Sequence, residues 1–88
     1  MKENPVKDKS FAFALRVVKL AKYLESEKKE FVLSRQVLRS GTAISALVRE
    51  AEHAESRADF VHKMNIALKE ASETLYWLDL LHQGGYIR

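Results

Sequence analysis

The stretch Ser34-Arg-Gln-Val-Leu-Arg-Ser-Gly-Thr-Ala-Ile-Ser-Ala-Leu-Val-Arg-Glu-Ala51 carries the clearest helical pattern in this chain of 88 residues. Apolar residues recur three and four positions apart, as they do on one face of an α-helix. That face consists of Val37, Ile44, Leu47, Val48, Ala51 and Ala54, with the small residues Ser40, Gly41, Ala43 and Ser45 alongside. Ser34 is a favourable N-cap, and Leu33 with Leu38 fits a hydrophobic staple. We therefore predict a helix over about residues 34–55.

Gly41 lies inside this predicted helix, where glycine costs about 1 kcal/mol relative to alanine. One interpretation is a kink or a break in the helix at this position. The other is close packing, in which a neighbouring helix uses the space that a side chain would fill. We prefer close packing, because other small residues surround Gly41.

Two further helices are predicted, one before and one after the 34–55 helix in the sequence. One is predicted over about residues 10–28, with Asp8 or Ser10 as its N-cap and a flexible basic arm over about residues 1–9 before it. The other is predicted over about residues 56–83, with Ser56 as N-cap, Asp59 completing a weak capping box, and Gly84-Gly85 at its end. Its expected core stripe is Phe60, Met64, Ala67, Leu68, Ala71, Leu75 and Leu78. The pattern predicts an all-α protein with one domain over residues 1–88.

Apolar residues cover more of these helices than three helices can bury. On the 10–28 helix they span an arc of roughly 220°, whereas a surface helix needs little more than about 100°. Ile66, Trp77 and Leu80 lie off the core stripe of the last helix. We therefore predict a homo-oligomer, and the residues expected at its interface are Phe13, Val17, Leu20, Leu24, Ile66, Trp77 and Leu80.

Composition excludes several function classes. The chain has no cysteine and three histidines, so thiol chemistry and cysteine-ligated metals are excluded. Glu50 and His53 form a Glu-x-x-His step of the kind used in di-iron bundles, but helical spacing points both away from the apolar face. No apolar run approaches the 18 or so residues of a membrane span, and Met1–Pro5 is unlike a signal peptide. We expect a cytoplasmic protein, not an enzyme, with no cofactor, no metal and no membrane partner.

Basic residues are distributed unevenly. The net charge of +3 is concentrated in residues 1–30, and four arginines follow in the middle of the chain. Extending the helical wheel of the 34–55 helix places Arg35, Arg39, Arg49 and Arg57 within an arc of about 80°. Such a stripe could bind phosphates, with Lys7 and Lys9 of the arm adding to it. The alternative is a solvated face or inter-subunit ion pairs, in a structural or protein-interaction module without nucleic-acid binding.

Two sequence blocks resemble the 23S rRNA intervening-sequence protein family. The first is Ser34 through Ile44 with Leu47-Val-Arg-Glu-Ala51, and the second is Asp59-Phe through Ile66-Ala-Leu-Lys-Glu-Ala71 with Glu73-Thr-Leu-Tyr-Trp-Leu78. The resemblance covers roughly residues 10–87. The family consists of small bacterial four-helix-bundle proteins, some encoded within insertions in large ribosomal RNA genes. A related protein is the accessory protein of diversity-generating retroelements, which binds nucleic acid and a reverse transcriptase through a basic surface.

This resemblance implies an up-and-down bundle, a ring-shaped homopentamer and association with RNA. Members of the family continue past the Gly-Tyr-Ile turn into a fourth helix, whereas this sequence stops at Gly85-Tyr-Ile-Arg88. We therefore expect a truncated version of the bundle, or a neighbouring molecule that covers the open groove.

Overall fold

The computed structural model describes residues 4–88, which form three α-helices. Helix α1 spans Pro5–Glu27, α2 spans Val32–Glu52 and α3 spans Arg57–Gln83. Consecutive helices run antiparallel: Lys7 near the start of α1 pairs with Glu52 at the end of α2 (3.2 Å), and Glu50 of α2 pairs with Lys63 near the start of α3 (3.0 Å). The all-α, up-and-down arrangement is confirmed.

Helix α1 begins five residues before the predicted start, so the prediction of a flexible basic arm is wrong where the structure describes it. Asn4 is the N-cap, and its side-chain oxygen accepts a hydrogen bond from the Lys7 amide (3.1 Å). Pro5 occupies the first turn, where its fixed φ suits a helix and its missing N–H costs nothing. Lys7 and Lys9 therefore lie on α1, while residues 1–3 of the predicted arm lie outside the described residues.

The start of α2 also differs from the prediction, because Ser34 is not its N-cap. Phe31 occupies the N-cap position without a side-chain hydrogen bond. The carboxylate of Glu30 instead accepts from the amides of Val32 (3.3 Å) and Ser34 (2.9 Å). Ser34 is fully buried, and its hydroxyl donates to the Glu25 carboxylate at 3.0 Å. The predicted staple of Leu33 and Leu38, which depended on that cap, is therefore wrong as well.

Helix α3 begins and ends close to the predicted positions. The Ser56 hydroxyl accepts from the Asp59 amide (3.0 Å), and the Asp59 carboxylate accepts from the Glu55 amide (3.2 Å). At the other end, Gly85 adopts a left-handed φ of 86°, a conformation that glycine reaches without steric cost. The chain then turns back, and Tyr86 and Ile87 pack against the hydrophobic core.

Helix α2 lies between its two neighbours and contacts both of them. The backbones of α1 and α3 stay apart throughout the described chain, and these two helices meet through side chains alone. The centre of the hydrophobic core consists of four residues from the three helices, all fully or almost fully buried: Val17, Leu24, Val37 and Leu81. On α3 the buried positions are Ala67, Thr74 and Leu81. The predicted core stripe is thus wrong for Phe60, Leu68 and Leu75, which are exposed.

Small and hydroxyl-bearing residues of α2 allow both neighbouring helices to approach closely. The Thr74 hydroxyl of α3 donates to the backbone carbonyl of Glu70 (2.7 Å). It also forms a hydrogen bond with the hydroxyl of Ser40, a fully buried residue of α2, and the two oxygens are 2.8 Å apart. In residues 4–88 every buried side-chain nitrogen and oxygen has a hydrogen-bond partner. Helix α2 continues through Gly41 without interruption, and a Cβ atom there would lie 2.8 Å from both methyl groups of Val17. Close packing at Gly41 is confirmed.

This contact predicts that Gly41→Ala destabilises the protein although alanine is the better helix former. The gain in helix propensity is about 1 kcal/mol. Overpacking against a stiff, buried valine costs about 1–3 kcal/mol. We expect a lower midpoint in urea denaturation followed by circular dichroism. Val17→Ala also destabilises, because Val17 is in the core, but the losses in the double variant should be less than additive, since the shorter side chain relieves the contact. As a control, Ala46→Gly at an exposed position of the same helix should lose only the propensity. A Gly41→Ala protein more stable than the parent would contradict the close contact.

Candidate nucleic-acid interface

The outer face of α2 is the candidate interface, and three of the four predicted arginines lie on it. Arg35, Arg39 and Arg49 are exposed, and Thr42 and Ala46 lie between them on the same face. We call these five residues the outer face of α2. From Arg35 to Arg49 it is about 21 Å long at the rise of an α-helix. The side chains of Thr42 and Ala46, in the middle of this face, are shorter than those of the arginines. A ligand could therefore approach the helix there and contact the arginines on either side.

Arg39 is engaged within the chain by two carboxylates of α3. Its guanidinium donates to Glu70 at 3.2 Å and forms a second ion pair with Glu73. The hydrogen bond to Glu73 is the main reason that the pKa of Arg39 is raised. The pKa of Glu73 is lowered, first by the hydrogen bond that Trp77 Nε1 donates to it (2.9 Å) and then by Arg39. One cation thus faces two anions, so Arg39 adds no net positive charge to the outer face of α2.

Arg49 is directed to the other neighbour, α1. Its guanidinium carbon lies 4.9 Å from the centre of the Phe11 ring, a cation–π contact that orients the side chain without neutralising it. Arg35 is exposed, and no ion pair to it is formed in residues 4–88. Arg35 and Arg49 therefore both keep their charge available to a ligand.

Arg57 is not part of this face. Helix α2 ends at Glu52 and α3 begins at Arg57, so a continuous helical wheel does not describe the position of Arg57. The side chain lines a shallow depression on α3 together with Ala58, Val61 and Asn65. Of the two predicted lysines, Lys7 is held by Glu52, while Lys9 is exposed on α1. The structure thus brings together three of the six predicted residues and separates Arg57, Lys7 and Lys9 from them.

A second basic surface on α1 was missed as a candidate site. Arg16, Lys19 and Lys22 are exposed on α1 and form no ion pair within the described chain. Together with Lys9 they lie on the side of α1 away from the buried Val17 and Ala21. Helical spacing of basic residues was the signal for this surface that the sequence contained.

The predicted oligomer-interface residues fall into three groups. Val17 and Leu24 are buried in the core of this chain, so that part of the prediction is wrong: α2 already covers them. Phe13 and Leu20 are half-buried and line a groove between α1 and α3 with a volume of about 300 Å³. Ile66 and Trp77 are half-buried on α3, and Leu80 is exposed. Their place in an interface between copies of the chain stays a prediction.

Several large apolar residues that were not assigned to an interface are exposed. On α3, Leu68 is 70% and Leu75 is 67% exposed. On α1, Phe11, Leu15 and Val18 line a second groove of about 360 Å³, whose other wall is α2. The chain therefore presents apolar surface on two sides of α1 and along α3.

Glu50 and His53 do not face a common site. The Glu50 carboxylate accepts from Lys63, and His53 lies at the end of α2, where its amide bonds to the Glu50 carbonyl (3.0 Å). Between residues 4 and 88, no three His, Asp or Glu side chains converge as metal ligands would. Nor is any helix in that range long and apolar enough to cross a membrane.

These features define a small up-and-down helical protein with arginines on its middle helix and uncovered apolar surface on the outer two. The chain belongs to the 23S rRNA-intervening sequence protein family, whose model matches residues 2–88. It is 64% identical to a protein of unknown function from the S23 ribosomal protein family of Bacteroides thetaiotaomicron VPI-5482, whose crystal structure superposes with a TM-score of 0.93. The match covers 94% of this chain and 77% of that one. A comparison with curated proteins gives no match.

The ion pairs predict a loss of stability in acid. Glu73 has a lowered pKa, and so does Glu52, through hydrogen bonds from Lys7 and then from Asn4. A carboxylate whose folded pKa is below its unfolded value of about 4.3 stabilises the fold above that pH. This contribution is lost as the pH falls through the folded pKa. We therefore expect the midpoint of thermal unfolding to decrease on acidification from about pH 6 to about pH 3.

The variant Glu52→Gln with Glu73→Gln should show a smaller decrease over the same range, because the linked protons are gone. Glu27→Gln serves as the control, since Glu27 is exposed and forms no ion pair within residues 4–88. If the double variant kept the full acid dependence, other carboxylates would be responsible for it.

Proposed function

We propose that this chain is a non-enzymatic, homo-oligomeric helical scaffold of the cytoplasm that associates with RNA through the outer face of α2. The observation that carries the RNA part of the proposal is the exposure of Arg35 and Arg49 on one helical face, with both charges available. Arginine binds phosphate oxygens in a bidentate manner, and each phosphate that it neutralises releases counterions.

Two further observations support RNA as the partner. The net charge of the chain is +3, and the four ion pairs within residues 4–88 engage three cations, Lys7, Arg39 and Lys63, each in contacts between helices. Uncompensated cations therefore remain on α1 and α2. In addition, the family to which this chain belongs is named after the intervening sequence of 23S rRNA, and the protein in the similar crystal structure is named as a member of the S23 ribosomal protein family. Both names refer to the ribosome, and ribosomal RNA is a polyanion that a basic helical face would attract.

Assembly into a homo-oligomer is supported by the exposed apolar residues. Val32, Leu68 and Leu75 are each at least two-thirds exposed. Leu68 and Leu75 lie two turns apart on one side of α3, and apolar patches on a surface mark interaction sites. The family resemblance implies a ring of five copies, and we take five as the ring size to be tested. A ring closes through a heterologous contact between two different patches, and this chain presents different apolar patches on α1 and α3.

A protein-interaction module without nucleic-acid binding is the second candidate. The engagement of Arg39 by Glu70 and Glu73 favours it, because one arginine of the outer face already serves a contact between helices. Arg49 also borders the groove between α1 and α2, where it could contact another subunit. In this alternative, the protein does not bind RNA, and replacing the arginines alters assembly instead.

Fluorescence anisotropy with a structured RNA, a single-stranded RNA and a duplex DNA, each over a salt series, tests the proposal. We expect RNA binding that weakens linearly with the logarithm of the salt concentration. Arg35→Ala with Arg49→Ala should weaken binding and reduce that slope by roughly 1.4–1.8, the value for two phosphate contacts. Arg39→Ala alone should have a smaller effect, because Arg39 is already paired.

Lys69→Ala with Arg88→Ala is the matched control, since it removes the same net charge from exposed positions outside the outer face of α2. Arg16→Ala with Lys19→Ala tests the basic surface of α1. A slope that changes only in the α1 variant would move the interface to α1. Absence of binding at low salt would contradict RNA association and leave the protein-interaction module.

A further inference from the structure

The groove between α1 and α2 has an apolar lining with an aromatic ring that a ligand can reach. Its volume of about 360 Å³ is within the range of small-molecule sites. The apolar residues along it include Phe11, Leu15, Val18 and Ala46. Phe11 is 44% exposed and Leu15 is 49% exposed, so both side chains are accessible. In the described chain, no carboxylate is among the residues that line this groove.

This groove lies on the side of α1 that faces away from the groove between α1 and α3. Phe13 and Leu20 line the groove between α1 and α3. At 100° per residue, they lie about 160–180° around α1 from Phe11. A further helix packed between α1 and α3 therefore leaves the groove between α1 and α2 open.

On the α2 side, a hydroxyl in the middle of the groove is flanked by cations. Arg35, Thr42 and Arg49 are spaced by seven residues and therefore follow one line along α2. The Thr42 hydroxyl donates to the backbone carbonyl of Leu38 (2.7 Å), so its oxygen can accept a hydrogen bond from a ligand in the groove. Arg49 lines one end of the groove, where its guanidinium covers the Phe11 ring. This wall thus offers positive charge and a hydrogen-bond acceptor beside apolar surface.

On the α1 side, the groove is bordered by the basic surface of that helix. Lys19 follows Leu15 by four residues, which places it one turn further along the same side of α1. Lys22 has the same relation to Val18. Both lysines are exposed and form no ion pair within the described chain. Because α1 and α2 run antiparallel, Lys22 lies toward the Arg35 end of the groove. Positive charge therefore borders the apolar lining on both helices.

We propose that the groove between α1 and α2 binds an unpaired base of single-stranded RNA. The proposal rests on the RNA association proposed above, and it names the class of RNA and the place of its base. The base stacks on the Phe11 ring or on the guanidinium plane of Arg49 and donates an N–H to the Thr42 hydroxyl. Phosphates of the neighbouring nucleotides contact the outer face of α2 on one side and Lys19 and Lys22 on the other.

An unpaired nucleotide matches each chemical feature of this groove. Its base stacks on aromatic side chains and on guanidinium planes, and the base edge carries N–H groups for the hydroxyl. Its phosphates match the surrounding cations. Proteins that bind single strands likewise combine a positively charged groove with aromatic side chains on which bases stack. An apolar helix of a partner protein would cover the lining of the groove but leave Arg35, Lys19 and Lys22 without anions. The charge around the groove thus favours a nucleotide.

Duplex RNA cannot use this site. Its bases are paired and stacked inside the helix, and side chains cannot read its deep, narrow major groove. A duplex would contact the cations alone. Because a duplex has the higher charge density, phosphate contacts alone would give no preference for the single strand. Preference for a single strand is therefore the signature of the base site.

Fluorescence anisotropy with the full chain separates base binding from phosphate binding. The ligands are a single-stranded RNA and the duplex that contains the same strand, each over a salt series. Phe11→Leu keeps an apolar side chain but removes the ring. We expect it to weaken binding of the single strand by roughly 5- to 150-fold, the loss for one stacked base. Affinity for the duplex and the salt slope should not change. Phe11→Tyr, which keeps a ring, should bind the single strand as the parent does.

Phe60→Leu is the matched control. Phe60 is 46% exposed, similar to Phe11, and it lies on α3 outside this groove. The substitution should leave the affinity for both ligands unchanged. Circular dichroism of each variant confirms the fold, which Phe11→Leu should preserve because Phe11 is outside the hydrophobic core.

A strand that carries a single base tests the site directly. Its other units are abasic, so they keep the phosphates and lack bases, and the one base is the fluorescent 2-aminopurine. Compared with a fully abasic strand, this base should raise the affinity by roughly 5- to 150-fold. Its fluorescence should change on binding, because stacking alters it. Phe11→Leu should abolish both effects. Equal affinities of the two strands for the parent protein would overturn the base site.

The outcomes separate this proposal from the proposed function. RNA binding with the expected salt slope, but with no preference for the single strand and no effect of Phe11→Leu, would overturn the base site and leave RNA association standing. Absence of RNA binding at low salt would overturn both. The mass of Phe11→Leu in analytical ultracentrifugation should equal that of the parent. A lower mass would assign the groove to a contact between copies of the chain and overturn the base site.

Discussion

The close approach of α1 to α2 at Gly41 is the constraint on which the rest of the structure depends. Both methyl groups of Val17 occupy the space where a Cβ atom of residue 41 would lie. On the neighbouring side of α2, about 100° around the helix, the buried hydroxyls of Ser40 and Thr74 bring α3 close at the same level. Small residues on α2 therefore fix the positions of both outer helices, because helix spacing follows the size of the side chains at the contact.

This arrangement also explains why so much apolar surface is exposed. With α2 in the middle and narrow, α1 and α3 each bury one side against it and leave another side open. On α3 the buried line runs through Ala67, Thr74 and Leu81, two of which are small or polar, while Leu68 and Leu75 face outward. A helix that leaves two leucines about two-thirds exposed is suited to a further apolar contact.

The same packing places some charged residues in ion pairs between helices and leaves others exposed. Carboxylates of α3 hold Arg39, and the Lys7–Glu52 and Lys63–Glu50 pairs connect the ends of neighbouring helices. Surface pairs of this kind contribute little stability, but they determine which cations remain free. Arg35, Arg49 and the basic residues of α1 are left on the outside, which is why both assembly and RNA association can be proposed for one small chain.

The sequence by itself determined the all-α class, the number of helices, the family and the third helix, because helical periodicity, Ser56 and the Gly84-Gly85 pair are local signals. It also indicated close packing at Gly41.

The tertiary structure decided which apolar stripe of α3 is buried, since several overlapping stripes fit the same periodicity and only the position of α2 selects among them. The tertiary structure likewise decided which arginine forms ion pairs. Helical spacing placed Arg39 on the outer face of α2, but only the position of α3 brought Glu70 and Glu73 to it. The starts of α1 and α2 depended on Asn4 and Glu30, whose capping hydrogen bonds compete with equally plausible caps at Ser10 and Ser34. Local sequence offers these alternatives, and the packing of distant residues chooses between them.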